Sequence, residues 1–306
     1  MDTSDLGSAT MLVTGGNTGI GFETVIGLAR TGARVVFTSR DEGRGRAALA
    51  DARRSSGNDA IDVMALDLAS LRSIHGFAED FGERYERLDV LVANAGVASG
   101  HVRRETADGF ELMLGVNHLG HMALIDRLEP RLRASAPSRV VVVSSGAYVV
   151  AEGGICFDDL QHTGEFHGMR VYGESKLANI WYALELARRL DGTGVTVNVL
   201  NPGLVATELG RPRDGEEPPP APPEAPRSDS EQALIDNLPE PVPPEIGART
   251  SIKLATSPDL DGVSGTWWSA GRPGELNDTA RDRAQAERLW EVSEQLLHDA
   301  ALDVHR

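Results

Sequence analysis

Tyr172 and Lys176 are separated by three residues, so on a helix they lie one turn apart on a shared face. A phenol beside an ammonium is suited to moving a proton on and off a substrate oxygen. With an ordinary pKa of about 10, a tyrosine donates readily and is hard to deprotonate. An ammonium about 4 Å away, at an effective dielectric near 20, is worth roughly 4 kcal/mol and lowers that pKa by up to about three. Carbonyl reduction needs such a proton donor, together with a hydride source that a protein has to bind. Ser144 or Ser145 could hold the substrate oxygen by hydrogen bond, and Asn117 could extend a proton path through water and Lys176. A lone Tyr-x-x-x-Lys pair is frequent by chance, so its weight depends on the elements around it.

The first of these elements is Thr14-Gly15-Gly16-Asn17-Thr18-Gly19-Ile20-Gly21, which follows the apolar run Met11-Leu12-Val13 and precedes the helical pattern Phe22 to Arg30. Strand, glycine turn and helix in this order are the context of a dinucleotide loop, with a structural glycine turn that binds no ligand as the alternative. Glycine lets the backbone turn tightly and approach a pyrophosphate, while the free N–H groups and positive dipole end of the helix face the anion. Ala33 to Thr38 reads as a second strand, reached after one helix, so the unit is βαβ with parallel strands. About 20 residues past the glycines, where an acidic residue would bind a ribose 2′-hydroxyl, the chain has Ser39-Arg40. A cation suits a 2′-phosphate, which predicts NADP(H); the alternative for Arg40 is a solvated charge at a strand end. Asp41 is expected to cap the next helix, Glu42 to Arg54.

Further strands are expected at Ile61 to Leu66, Leu88 to Ala93, Arg139 to Val143, Val195 to Leu200 and Gly265 to Trp268. The third ends at Asp67-Leu68, where a carboxylate could accept the adenine amino group or cap the helix beginning near Leu71. Asn94-Ala95-Gly96 closes the fourth, its small residues letting the backbone pass close to a ribose. Asn117 falls within a long helix, where Asn has poor propensity and implies a tertiary role. His118 and His121 are three apart, but no acidic or cysteine partner stands beside them and no metal site is expected. After the sixth strand comes Asn201-Pro202-Gly203-Leu204-Val205-Ala206-Thr207. Gly210 to about Pro244, containing Pro218-Pro219-Pro220-Ala221-Pro222-Pro223, lacks the apolar content to pack and is expected to be extended or disordered. Val171 is expected to open an amphipathic helix running to about Leu190, and helices are expected again at Ile246 to Ala255 and Arg281 to Leu297.

A chain of 306 residues, 41% hydrophobic, suffices for a large α/β domain. The net charge of −16 argues against nucleic acid and anionic membrane surfaces as partners. With Cys156 as the single cysteine no intrachain disulfide can form, and it reads as a packed thiol. No leader-like or membrane-anchoring stretch is apparent, so the expectation is a cytoplasmic protein.

The G-x-x-x-G-x-G spacing of Gly15, Gly19 and Gly21, with Asn94-Ala95-Gly96, Ser144-Ser145-Gly146-Ala147 and Tyr172-x-x-x-Lys176 in order, resembles the short-chain dehydrogenase/reductase family. Thr38-Ser39-Arg40-Asp41, Asn117-His118-Leu119-Gly120-His121 and Ser175-Lys176-Leu177-Ala178-Asn179 look like its retinol dehydrogenase and WW-domain oxidoreductase branch. The resemblance implies a single domain over residues 1–306, a Rossmann-type doubly wound parallel sheet of about seven strands with helices on both faces. It implies Tyr172 as acid/base, Lys176 as its tuner and ribose contact, Ser145 as substrate orienter and Asn117 as water anchor. Cofactor contacts are implied at Gly15, Asn17, Thr18, Gly19, Ile20, Gly21, Arg40, Asp67, Leu68, Asn94, Ala95, Gly96, Tyr172, Lys176, Pro202, Gly203, Val205 and Thr207. The substrate implied is a small lipophilic carbonyl or alcohol, the segment 210–244 takes the place of the substrate-covering loop, and a homo-oligomer is possible. A cofactor-binding sensor without turnover is the rival reading. A sugar-nucleotide epimerase fits the glycine spacing less well.

Overall fold

The computed structural model describes residues 3–207, 209 and 229–303. The Pro-rich run 212–226 therefore lies outside the described residues. Among the described residues eight strands form one sheet: β1 Thr10–Val13, β2 Arg34–Ser39, β3 Ile61–Ala65, β4 Val90–Ala93, β5 Ser138–Val143, β6 Val195–Asn201, β7 Thr266–Ser269 and β8 Arg272–Pro273. Their order is β3-β2-β1-β4-β5-β6-β7-β8. The first seven are parallel, as expected of strands separated by helices. The eighth is a two-residue antiparallel strand that turns back on β7, pairing Trp268 with Pro273 and Ser269 with Arg272. A proline donates no backbone hydrogen bond, which suits that edge.

The helices are α1 Gly19–Ala29, α2 Glu42–Ser56, α3 Leu71–Arg84, α4 Gly120–Ala134, α5 Gly168–Arg189, α6 Asp229–Asp236, α7 Pro244–Thr256 and α8 Arg283–Asp303. Period-two side chains of buried strands feed two cores. Leu12, Leu91, Val140 and Val142 point to one face, packing with Phe77 and Phe81 of α3, Leu128 of α4, Trp181 of α5 and Leu289 of α8. Met11, Val13, Val92 and Val141 point to the other, packing with Val25 and Leu28 of α1, Ala52 of α2 and Leu254 of α7. This is the doubly wound Rossmann-type architecture. Because the chain runs outward from β1 to β3 and then returns to the other side of β1 at β4, a crevice opens at the carboxyl ends of β1 and β4.

Four expectations need correction. The helix expected around Asn117 is not uniform, for Leu114–Leu119 forms a turn of π-helix before α4 begins. Apolar periodicity does not report the one extra residue per turn that defines such a bulge. The cap of α3 is Ser70, whose hydroxyl accepts from Ser73 N, whereas the Asp67 carboxylate accepts from Ala69 N at 3.0 Å in a local turn. Asp67 therefore has no capping role. The segment expected to be extended contains α6, where Gln232-Ala233-Leu234-Ile235 supplies good helix formers free of Pro and Gly. Finally α5 starts at Gly168, three residues ahead of Val171, and its first turn is closed by Arg170 donating to Glu174 at 2.8 Å. Among the described residues no helix is long and apolar enough to cross a membrane.

Candidate active site

The crevice at the strand ends is a cleft of about 1140 Å³. Gly15, Asn17, Thr18, Gly19, Ile20, Gly21, Arg40, Asp67, Leu68, Asn94, Ala95, Gly96, Tyr172, Lys176, Pro202 and Thr207 all lie on its wall. Asn117, Ser145, Gly203 and Val205 do not. Val205 instead makes a bridge with Val242 and sets its methyl groups against Gly247 of α7. Gly203 forms a turn at φ +88°, its N–H bonded to the side chain of Asn201.

The glycine-rich loop is fixed by its two neighbouring strands. Gly15 N donates to Thr38 Oγ1 at 3.1 Å and Gly16 N to Thr38 O at 3.1 Å, on the β2 side. Towards β4, Asn94 Nδ2 donates to Thr14 O at 2.9 Å. Gly15 takes φ +64°, and a Cβ on Gly21 would fall 2.3 Å from Gly15 O and 2.5 Å from Asn94 Nδ2. The turn closes only around a bare backbone.

This turn delivers the start of α1 to the cleft. Thr18, in extended conformation, gives α1 no side-chain cap, and the first turn carries no acidic residue. Its N–H groups and positive dipole end thus remain for an anion, which fits the pyrophosphate of a dinucleotide. At the end of β2, exposed Arg40 stands on the wall together with Arg44. Sequence reasoning missed Arg44, although its place in the first turn of the helix opening just past Arg40 was a readable signal. Asp41 caps α2 as expected, accepting from Arg44 N at 2.7 Å.

The second half of the site comes from β5 and α5. Ser144 is buried and its hydroxyl donates to Lys176 O at 2.7 Å. Ser145, two residues past the end of β5, reaches the Tyr172 hydroxyl with its side chain and favours the ionised phenol. Of the two serines, only Ser145 meets the phenol. Lys176 is 4% exposed, with its Nζ 3.5 Å from Val143 O and 5.7 Å from the centre of the Tyr172 ring. Burial pulls its pKa down to about 8. The Tyr172 phenol departs from expectation: desolvation raises its pKa above the ordinary value, and the bond to Ser145 offsets part of that rise. Lys176 does not produce the expected lowering, because its amine is turned to the Val143 carbonyl and sits in the same poorly solvated interior.

Asn117 is fully buried. Its Oδ1 accepts from Val97 N at 2.8 Å, and its Nδ2 donates to Val97 O at 3.0 Å and Ser175 Oγ at 2.9 Å. Both amide hydrogens are therefore committed, so a water on the expected path would have to donate to an oxygen of Asn117. His118 and His121 do not converge on a common point, as His118 Nε2 bonds Ser293 Oγ at 2.8 Å and His121 Nε2 bonds Thr14 Oγ1 at 2.9 Å. Among the described residues no three His, Cys, Asp or Glu side chains gather as metal ligands.

Known proteins share this arrangement. The short chain dehydrogenase family profile matches residues 9–157. Retinol dehydrogenase 14 of Homo sapiens is 41% identical over 308 residues, covering 93% of this chain and 85% of the relative. Dehydrogenase/reductase SDR family member 13 of Bos taurus is 42% identical over 296 residues, covering 96% and 74%. Among solved structures, the Pseudomonas aeruginosa RhlG/NADP active-site complex superposes with a TM-score of 0.63 at 27% identity, covering 86% of this chain and 94% of that one. Identity sustained over more than nine-tenths of the chain, on a sheet that sets glycine loop and Tyr172-Lys176 around one cleft, places this protein in the short-chain dehydrogenase/reductase family, in its retinol dehydrogenase branch.

Proposed function

We propose that the protein is an NADP(H)-dependent oxidoreductase that interconverts a lipophilic carbonyl compound and its alcohol, with all its described elements serving one cofactor-binding unit. The observation that carries this reading is the cleft at the strand ends, whose wall carries the glycine loop, Arg40, Tyr172 and Lys176 together. The loop and the start of α1 would hold the pyrophosphate, Arg40 and Arg44 the 2′-phosphate, Asp67 the adenine edge, and Asn94 to Gly96 the adjoining ribose. The nicotinamide supplies or accepts the hydride.

Tyr172 then holds the mobile proton. With its pKa raised, the phenol stays protonated at neutral pH and donates to a carbonyl oxygen as that oxygen gains negative charge. Ser145 orients the same oxygen, and Lys176, on the same cleft wall, would hold the nicotinamide ribose. Ala98, Val102, Leu112 and Val116 on the cleft wall support an apolar substrate, in keeping with the retinol named in the relatives. The acidic composition and single cysteine support a cytoplasmic setting.

Purified protein with NADPH and a panel of apolar ketones and aldehydes should oxidise the cofactor, and Tyr172→Phe should stop it. If no compound is turned over while NADPH binds, the sensor reading replaces this one.

A further inference from the structure

His121, in the first turn of α4, is 3% exposed and has no part in the chemistry above. Its Nδ1 lies 3.1 Å from Asn117 O and its Nε2 2.9 Å from Thr14 Oγ1. A carbonyl oxygen only accepts, so Nδ1 carries the hydrogen. A neutral imidazole has one such hydrogen, so Nε2 accepts and the Thr14 hydroxyl donates to it. The hydroxyl requires the same assignment. Its oxygen accepts from Asn94 N and Ala95 N, each at 2.9 Å, and its other acceptor, Val92 O, is distant at 3.5 Å. Burial and the nearby Lys176 ammonium keep the ring neutral.

From Asn117 the connection continues. Its amide orientation is fixed by Val97, since a flipped amide would set oxygen against the Val97 carbonyl. Nδ2 therefore donates to Ser175 Oγ at 2.9 Å, and Ser175 Oγ donates to Tyr172 O at 2.7 Å. Four donors point one way, from Thr14 through His121, Asn117 and Ser175 to the peptide of Tyr172. His121 bonds the peptide oxygen of Asn117 whereas Ser175 is bonded by its side-chain amide, so the two halves join through the covalent frame of Asn117 and each can be lost separately.

We propose that His121 is a positioning residue that ties the glycine-rich loop to the backbone of Tyr172 through Asn117 and Ser175, holding the cofactor cradle and the proton donor in register. The inference rests on the reading of that loop and of Tyr172 given above.

Three substitutions separate the two bonds of His121. His121→Gln retains an acceptor near the Nε2 position, His121→Asn retains a donor near Nδ1, and His121→Phe retains neither. NADPH affinity is read by fluorescence titration, and kcat on any carbonyl that the wild type reduces. We expect His121→Phe to lose about tenfold or more in both, His121→Gln to recover the affinity, and His121→Asn to recover kcat. Ser175→Ala should lower kcat while leaving NADPH affinity unchanged, and should add nothing to the kcat loss of His121→Gln. Gln and Asn variants with equal losses in both quantities, or full additivity with Ser175→Ala, would overturn the proposal. Should His121→Phe fail to fold, the Gln and Asn variants still decide. A wild type that does not bind NADPH removes the cofactor reading and this inference together, whereas normal NADPH binding and kcat in His121→Phe removes the inference alone.

Discussion

Lys176 sets its ammonium 5.7 Å from the centre of the Tyr172 ring, yet the phenol keeps a pKa above that of free tyrosine. The shared helix turn brings the pair together as their spacing requires. What the spacing does not contain is the interior around them, which disfavours both charged forms: it raises the phenol and lowers the amine to about 8. Carbonyl reduction should follow from this balance, with Tyr172 protonated throughout the neutral range. Its rate should hold from about pH 6 and fall above about pH 8, as Lys176 loses its proton and with it the charged contact that would orient the cofactor ribose. Lys176→Arg keeps the cation and should move the fall to higher pH, although its activity is expected to be lower. A wild-type rate that is constant to pH 10 under saturating NADPH would contradict this role for the amine.

The two adjacent serines make different predictions. Ser145 bonds the phenol, so Ser145→Ala should lower kcat by roughly 10²-fold or more, and Tyr172→Phe by about 10²- to 10⁴-fold, both with NADPH affinity retained. Ser144 bonds the peptide oxygen of Lys176. Ser144→Ala should therefore show its effect first in the melting temperature, at a cost of about 1 kcal/mol. A larger kcat loss in Ser144→Ala than in Ser145→Ala would reverse the assignment.

Cofactor choice is attributed to the end of β2. A charge-assisted bond to a 2′-phosphate is worth about 1.5–3 kcal/mol, or roughly 10- to 150-fold in affinity. Arg40→Ala should raise the Kd of NADPH by about that factor and leave NADH within about twofold. Arg44→Ala should act in the same direction, and equal losses for the two cofactors in both variants would remove the 2′-phosphate role.

Much of this was legible in the sequence because it is local. The glycine spacing, the strand-helix alternation and the Tyr172-Lys176 turn all lie within one element or its immediate neighbour, where period and residue type suffice. The rest depends on distant partners. Thr14 and His121 are 107 residues apart and meet only after β1 and α4 dock on the sheet, so neither residue type nor spacing announced their bond. The tyrosine pKa was misjudged for the same reason, since desolvation belongs to the assembled core. Asp67 was ambiguous within its own segment, where Ser70 stands three residues on and takes the cap.

The buried histidines give the last prediction, and its sign follows from their pKa values. His118, facing Ser293, His121 and the Tyr182 ring, is lowered to about 3, and His121, facing Thr14, Asn117 and Lys176, to about 4. In the unfolded chain both return to about 6.5. Between those limits the unfolded state binds more protons than the folded one, so stability is complete above about pH 6.5 and declines as pH falls toward 4. Each histidine contributes a slope of up to ~1.4 kcal/mol per pH unit in that window. Urea unfolding measured at pH 7, 6 and 5 should show this decline, and His118→Asn, which removes one site, should reduce the slope by about its share. The same comparison separates the histidines from the carboxylates, whose acid titration is common to both proteins. An unchanged slope in His118→Asn would mean that the imidazole is not held neutral by the fold.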